Sequence, residues 1–311
     1  MRRIRPDDES GRTVAIALAS NLAVAVAKSL AAVVTGSTVM SAEAAHAFAD
    51  TGNQVLLVVA QRTSRRSADE RHPLGYGREA YFWALIASVV VFVAGAVFSL
   101  REGISELMRP LGSTSFEVLY AILAVSLVLD AISLSQAVRQ LRSDATRLER
   151  EFLDQVMLTS DPTLRAVFAE DAAAISGDVI GFIGLGLHQA TGSSIPEGIS
   201  AVLIGLLLIG VGLQLARRNR DFLLGEQAPE SARAAVHTYL VNTAGIVSVR
   251  ELLVTFIGPR EVWVVARVDI DDALRGDQVE ALARRVERGL VAESDYIGRV
   301  DVVPIGAATE L

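Results

Sequence analysis

The fold class is decided by the stretch Ser41-Ala-Glu-Ala-Ala-His46-Ala-Phe-Ala-Asp50-Thr-Gly-Asn-Gln54. It belongs to an apolar segment that is long enough to span a membrane as a helix, and His46 and Asp50 lie four residues apart within it. Residues at i and i+4 share one face of a helix, so this imidazole and carboxylate can bind one divalent metal ion. A charged side chain at the bilayer centre costs roughly 2.5–3.5 kcal/mol on insertion scales. A metal ion, a proton or a partner charge must therefore offset the cost of this pair.

The composition supports a membrane protein and narrows the kinds of site. The chain has 311 residues, of which 51% are hydrophobic, and its mean hydropathy is +0.40. It contains no cysteine, which excludes disulfides and thiolate ligands, so a metal site must use histidine, carboxylates, backbone or water. The net charge of −7 and the lack of a basic patch with interleaved aromatic residues argue against a nucleic-acid partner.

Six apolar stretches are long enough to cross a lipid bilayer, which takes about 20 helical residues. We predict that these spans lie near Thr13–Thr35, Ala42–Gln61, Glu79–Leu100, Phe116–Val138, Leu164–Gln189 and Ile195–Leu215. Arginines cluster before span one, between spans two and three, between four and five, and after six, whereas the opposite loops hold only Arg101 and Arg109. The positive-inside rule then places both termini in the cytoplasm. We expect a multi-pass protein of a bacterial inner membrane, with residues 1–12 as a cytoplasmic segment and 13–216 as the transmembrane domain.

The pattern changes after span six. Residues 217–229 read as a linker, and 230–311 as a cytoplasmic domain. Within it we predict a helix, two strands joined by a turn, a second helix and a last strand, at Glu230–Val241, Val247–Phe256, Val262–Ile270, Asp277–Val291 and Arg299–Pro304. This αββαβ order indicates a small two-layer α/β domain with its own core.

Span five supplies a second group of acidic residues. Asp171 and Asp178 are seven residues apart and share a helix face, with Glu170 beside them. Acidic groups at membrane depth are candidates for function. The alternatives are that Glu170 lies in water at a helix end and that Asp178 only makes a hydrogen bond in the helix packing.

Five further polar residues fall inside the predicted spans, of which Asn21 is one. Lys28, the only lysine of the chain, either balances a carboxylate or extends to the membrane interface. Asn53 and Gln54 lie one turn beyond Asp50 and can support it by hydrogen bonds. Asp130 in span four fits a role in lining a pathway or moving protons.

Two other interpretations of His46 are weaker. A hydrogen bond between membrane helices is worth about 0.6 kcal/mol on average, a small gain for burying both His46 and Asp50. Glu43-Ala-Ala-His46 matches the Glu-x-x-His pattern of di-iron bundles, but that site needs a second such motif, which this sequence lacks. The sequence also lacks a P-loop, a Gly-x-Ser-x-Gly and a His-Glu-x-x-His, so we expect no enzyme activity.

Together these motifs resemble those of the cation diffusion facilitators. The resemblance rests on Gly36-Ser37, on Ala42–Gln54 with its His46 and Asp50, and on Arg71-His-Pro-Leu-Gly-Tyr-Gly-Arg-Glu79 before Tyr81-Phe-Trp83. Span five and the αββαβ tail agree with it. The resemblance implies a homodimer of six-span protomers with ferredoxin-like cytoplasmic domains, and export of a divalent metal, most often zinc, in exchange for protons.

The resemblance also implies a ligand set. His46 and Asp50 match the family's pair in span two, and Asp171 matches its aspartate in span five. The family's usual histidine would fall at Val167, so one of four ligands is missing, as in a branch with Glu-Asp at this place. Glu170, Asp178 or water can complete the shell. Manganese, iron or cobalt become more plausible beside zinc, since carboxylate and water suit harder ions, and cadmium is a further candidate.

A metal-gated channel and a non-transporting metal sensor or partner-binding protein remain alternatives. In the tail, the acidic cluster Asp269, Asp271 and Asp272 reads as a solvated strand end more than as a regulatory metal site.

Overall fold

The computed structural model describes residues 9–110, 115–148 and 151–305, and the side chains of these residues other than 9–20, 90 and 91. The described chain divides into two compact units. The first contains the residues up to Gln61 together with Phe82–Asn219, and the second contains Arg62–Tyr81 together with the chain from Arg220 onward. Residues 1–8 of the predicted N-terminal segment lie outside the described part, and residues 9–12 already belong to the first helix.

Six long helices and one short one come first in the chain. They are α1 (Glu9–Thr35), α2 (Thr38–Ser64), α3 (Glu79–Met108), α4 (Phe116–Arg147), α5 (Phe152–Leu158), α6 (Pro162–Thr191) and α7 (Ile195–Leu224). Each predicted span lies inside one long helix, but most of the helices continue past the apolar residues into charged ends. The stretch predicted as a linker is thus helical as far as Leu224.

Local sequence explains where α6 begins and ends. The Asp161 carboxylate accepts hydrogen bonds from the backbone N–H groups of Thr163 and Leu164, both at 3.1 Å, and Pro162 occupies the first turn, where its missing N–H costs nothing. Gly192 ends the helix at φ +73°, a left-handed conformation that favours glycine. The short α5 was not predicted, because its apolar residues are too few to form a recognisable period.

By length and composition alone, α3, α4 and α7 are the described helices apolar enough to cross a membrane. The described apolar part of α1, Asn21–Thr35, is shorter. The helices α2 and α6 hold most of the polar candidate residues named above. Most of the polar residues expected at the depth of the membrane therefore lie on these two helices.

Small residues let the helices of this unit approach closely. A Cβ atom added to Gly103 would lie 2.7 Å from the carbonyl oxygen of Gly198, and one added to Gly181 would lie 2.9 Å from Val39 Cγ1. One buried cluster of this unit is rich in alanine, with Phe92 and Leu208 as larger members. Such small-residue packing is typical of membrane helices, where there is little hydrophobic drive for their association.

The second unit contains the predicted αββαβ order, as α8 (Glu230–Val241), β1 (Ile246–Gly258), β2 (Glu261–Ile270), α9 (Gly276–Glu293) and β3 (Ile297–Ile305). The strands form one sheet in the order β1-β2-β3, with β1 antiparallel and β3 parallel to β2. The core lies between the sheet and the helices, where α9 buries Leu282, Val286 and Leu290.

The segment between α2 and α3 belongs to this second unit. Tyr81 is fully buried in its core, and its ring stacks on Phe222 with centroids 4.9 Å apart. Asp69 orders the preceding loop, since its carboxylate accepts hydrogen bonds from the Tyr76 hydroxyl at 2.6 Å and from the His72 backbone N–H at 2.7 Å. These hydrogen bonds lower the pKa of Asp69 to about 2, with the bond from Tyr76 contributing most and the bond from His72 next.

Candidate metal site

The candidate residues meet in a cavity among α1, α2, α4 and α6. Its volume is about 50 Å³, which suffices for a few water molecules. The lining contains Asn21, Val24 and Lys28 from α1, His46, Ala47, Asp50 and Gln54 from α2, Ser126, Leu129, Asp130 and Ser133 from α4, and Glu170, Asp171 and Ala174 from α6. Three of these helices supply carboxylates, so the acidic lining depends on the packing of the bundle.

His46 and Asp50 face this cavity as the helix spacing predicts. The His46 Nε2 atom lies 3.4 Å from Asp50 Oδ2, and the histidine is 1% exposed. Among the described residues, neither His46 Nε2 nor Asp50 Oδ1 has a hydrogen-bond partner. Buried polar atoms are nearly always paired in proteins, and these two are free to hold a cation or a proton.

Glu170 and Asp171 of α6 line the same cavity, and each accepts a hydrogen bond from a different neighbouring helix. The Asn53 side-chain amide donates a hydrogen bond to Glu170 Oε1, and the Ser133 hydroxyl donates to Asp171 Oδ2 at 2.6 Å. Glu170 is only 3% exposed, so the alternative that it lies in water is wrong in this structure. Asn53 supports Glu170 and not Asp50, which the sequence could not show because the contact joins two helices.

Asp130 and Gln54 also line the cavity, as the proposed pathway role requires. The Ser126 hydroxyl donates to Asp130 Oδ2 at 3.2 Å. Ser126 and Ser133 were not singled out from the sequence, since serine is common in membrane helices and carries no charge to mark it.

Lys28 acts as a counter-charge and does not extend to an interface. Its ammonium donates to Glu43 Oε2 at 2.7 Å and to Asp178 Oδ1 at 3.1 Å. The exposed fractions of these three side chains are 3%, 0% and 0%. Asp178 therefore does not line the cavity beside Asp171 but lies behind Lys28. Glu43 was not identified from the sequence as the partner of Lys28, although a buried lysine inside the membrane needs a carboxylate to balance its charge.

Val167, the position of the missing histidine, lies in different surroundings. It packs against an apolar cluster formed by Ala137, Leu141 and Leu164, together with Phe168. It does not line the cavity. Asp171, one turn later, does, so the helix face turns from apolar to acidic between these two residues.

The arrangement gathers acidic groups without closing a coordination shell. In the part of the chain that the structure describes, no group of three His, Asp or Glu side chains is close enough to hold a metal ion. The cavity nevertheless brings several acidic side chains together in a low-dielectric interior, where an ionised carboxylate attracts a cation much more strongly than it does in water. Long apolar helices and a cavity lined by acidic side chains are the features of an integral membrane protein with a candidate cation site.

Comparison with known proteins gives the family. Residues 14–224 match the model of the cation efflux transmembrane domain, which covers more than half of the chain. The protein therefore belongs to the cation efflux family, the cation diffusion facilitators, as its motifs predicted.

Several named proteins are similar to this chain over most of its length. The human mitochondrial proton-coupled zinc antiporter SLC30A9 is 32% identical over 261 residues, which cover 84% of this chain and 46% of the human protein. Metal tolerance protein C4 of Arabidopsis thaliana is 30% identical over 87% of this chain and 60% of its own length. The cation-efflux pump FieF of Serratia proteamaculans is 24% identical over 83% and 80%. The chain spans about half the length of the mitochondrial antiporters that it matches.

Proposed function

We propose that this protein is a divalent-cation efflux transporter that exchanges the metal for protons by alternating access. The observation that carries the proposal is the gathering of four carboxyl side chains around one small cavity between membrane helices. Asp50, Asp130, Glu170 and Asp171 line it, and the ammonium of Lys28, which also lines it, is already bonded to two other carboxylates. Uncompensated charges are costly in such an interior, and a divalent cation or protons would balance them.

The proposed cargo ligands are His46, Asp50 and Asp171, with Glu170 or water in the place left by Val167. Glu170 is the favoured fourth group because it lines the cavity and its carboxylate is held by Asn53. The helices would have to move inward to bring these groups to metal-binding distances. Zinc is the first expected cargo, since the mitochondrial relatives are described as zinc antiporters, and an oxygen-rich set also suits manganese, iron or cobalt.

Proton coupling follows from the chemistry of these ligands. Histidine binds a metal only when it is neutral, and a carboxylate only when it is ionised, so metal and protons compete for the same groups. If the cavity opens to each side of the membrane in turn, protons can displace the metal on one side and leave on the other. His46, Asp50 and Asp171 would then carry metal outward and protons inward.

The proposed architecture is a homodimer of six-span protomers with both termini in the cytoplasm, placed in a bacterial inner membrane. The six long helices support the number of spans, and the arginine distribution supports the orientation. The αββαβ unit with its mixed sheet is consistent with a ferredoxin-like dimerisation domain over residues 230–311. In this assignment the protein is a transporter and not an enzyme.

The test is metal uptake by proteoliposomes with an imposed pH gradient. We expect Asp50→Asn and Asp171→Asn each to lower zinc-driven proton flux by at least about 100-fold, since even residues that support metal ligands cost about 10–100-fold. Asp154→Asn is the matched control, because Asp154 is exposed on α5. Normal transport by both cavity variants would show that the site is assigned wrongly.

The same assay separates the rival functions. A metal-gated channel would pass metal at rates far above those of carriers and would be indifferent to collapse of the pH gradient. A sensor would bind metal in detergent but take up none into liposomes. Uptake of zinc, manganese, iron, cobalt and cadmium in parallel determines the cargo.

A further inference from the structure

The Lys28 ammonium occupies a position that has the chemistry of a cation site. It lies 2.7 Å from Glu43 Oε2 and 3.1 Å from Asp178 Oδ1, on three different helices. All three side chains are more than nine-tenths buried. The carboxylates of α2 and α6 thus converge on one positive charge, and that charge is carried by a flexible chain from α1.

The ammonium leaves this pair of carboxylates only partly satisfied. Glu43 Oε1 and Asp178 Oδ2 are buried and have no hydrogen-bond partner among the described residues. When both carboxylates are ionised, one ammonium leaves an excess of one negative charge. A divalent cation would match two carboxylates in charge, and it binds oxygen ligands.

The pair lies next to the cavity on the path that a cargo would follow. Along α2 the order is Asp50, His46, Glu43, and along α6 it is Asp171, Asp178. Because α2 and α6 run in opposite directions in the proposed topology, both orders lead from the cavity toward the non-cytoplasmic side. Beyond the pair, Met40 and Leu185 belong to one buried apolar cluster.

Glu43 also lies close to the far side of the His46 ring. A Cβ atom added to Gly177 would be 2.6 Å from Glu43 Oε1 and 3.6 Å from His46 Nδ1. The missing side chain at Gly177 therefore leaves room for the carboxylate beside the imidazole. A cation leaving His46 would meet this carboxylate next.

We propose that Glu43 and Asp178 form a second divalent-cation position on the exit side of the His46–Asp50 cavity, and that Lys28 is a tethered occupant which must leave before the cargo enters. The proposal rests on the proposed transport function for its role, but not for the existence of the position. Lys28 keeps the two carboxylates from trapping a metal and returns when the metal has gone.

The experiment counts metal ions bound to the purified full-length chain in nanodiscs. Equilibrium dialysis against zinc, and separately manganese, is followed by elemental analysis. We expect Lys28→Met to bind one more ion per chain than the wild type, whereas Lys28→Arg, which keeps the charge, binds the wild-type number. Adding Glu43→Gln and Asp178→Asn to Lys28→Met should remove the extra ion. If Lys28→Met binds no more metal than Lys28→Arg, the proposal is wrong.

A further variant separates this proposal from the function proposed above. Lys28→Met combined with Asp50→Asn and Asp171→Asn should still bind one ion, at Glu43 and Asp178. If the wild type binds none but Lys28→Met binds one, the cavity assignment fails and the second position stands.

A second variant keeps the net charge of the three residues and tests the proposal even if Lys28→Met alone does not fold. Lys28→Met with Asp178→Asn removes one charge of each sign and leaves Glu43 as a lone carboxylate. If the three residues serve only charge balance, this variant transports at the wild-type rate, which would overturn the proposal. We expect the folded double variant to transport at least about tenfold more slowly, by analogy with the loss of groups that support a metal.

Discussion

Two groups of carboxylates in the membrane unit, one buried and one half-buried, differ in how their charge is balanced. Glu43 and Asp178 share the ammonium of Lys28. No ion pair with a lysine or arginine is found for Asp50 or Asp171 among the residues that the structure describes: Asp50 is near a histidine, and Asp171 accepts a hydrogen bond from a serine hydroxyl.

This difference separates the carboxylates that are paired in this conformation from those that can accept a mobile cation. Removing one partner of a buried ion pair is strongly destabilising, because the other charge is then left uncompensated. The Lys28 group therefore holds α1, α2 and α6 together in this conformation. The second group, Asp50 and Asp171, still has an unpaired oxygen among the described residues, at Asp50 Oδ1. When these carboxylates are ionised, they favour the binding of a mobile cation.

The largest effect on stability is expected for Lys28→Met without metal. Removing the ammonium leaves two buried carboxylates uncompensated, and such a loss costs about 3–5 kcal/mol of unfolding free energy. Thermal or denaturant unfolding followed by the fluorescence of the two tryptophans measures it. Lys28→Arg is the control, and zinc should restore part of the loss. Unfolding of metal-free Lys28→Met at the wild-type midpoint would show that the two groups do not differ.

On the cavity side, Asn53→Ala tests whether Glu170 belongs to the available group. The variant removes the amide that holds the Glu170 carboxylate, and losing such support costs about 10–100-fold in metal affinity. Titration calorimetry with zinc measures the affinity. Asn242→Ala makes the same change at an exposed position and should bind as the wild type does. Equal affinities for both variants would remove Glu170 from the proposed ligand set.

A smaller change, in preference more than in rate, is expected for Val167→His. An imidazole one turn before Asp171 adds a softer ligand, which suits zinc better than manganese. The ratio of zinc to manganese uptake should rise. An unchanged ratio would mean that the side chain at position 167 stays in the apolar cluster and does not reach the metal. It could also mean that the family's histidine corresponds to a different residue of α6.

The smallest effect is expected at Asp69, an exposed carboxylate outside the membrane helices, which contrasts with both carboxylate groups inside them. Because its pKa is lowered to about 2, its contacts contribute fully above the ordinary aspartate value of about 3.9 and are lost as the pH falls toward 2. Tyr76→Phe removes the principal cause and should move the pKa upward. Carboxyl carbon NMR, with Asp69→Asn to assign the signal, measures the titration. The same midpoint in both proteins would contradict this account.

Much of the fold could be predicted from the sequence, for identifiable physical reasons. Apolar runs of span length located the six long helices, and alternation and helical spacing located the αββαβ elements. The ends were harder: α7 continues to Leu224 because charged residues are compatible with a helix that leaves the apolar region. The seven-residue α5 is too short for its period to be seen.

The candidate site was predictable only within each helix. The spacing of His46 and Asp50 fixes their common face, so their shared orientation could be read from the sequence. The contacts of Glu43 with Lys28, and of Asn53 with Glu170, join different helices, and nothing in a single helix specifies its rotation against another. The bond between Ser133 and Asp171 was hidden for the same reason.

The position of Tyr81 has a consequence for dissecting the protein. This fully buried ring is stacked on Phe222 in the core of the second unit, yet it precedes that unit's strands by more than a hundred residues. A fragment beginning at Glu230 would lack both rings, and a gap would open in its hydrophobic core. Soluble fragments of the C-terminal region would therefore report the behaviour of an altered domain, whereas the intact chain reports the native one.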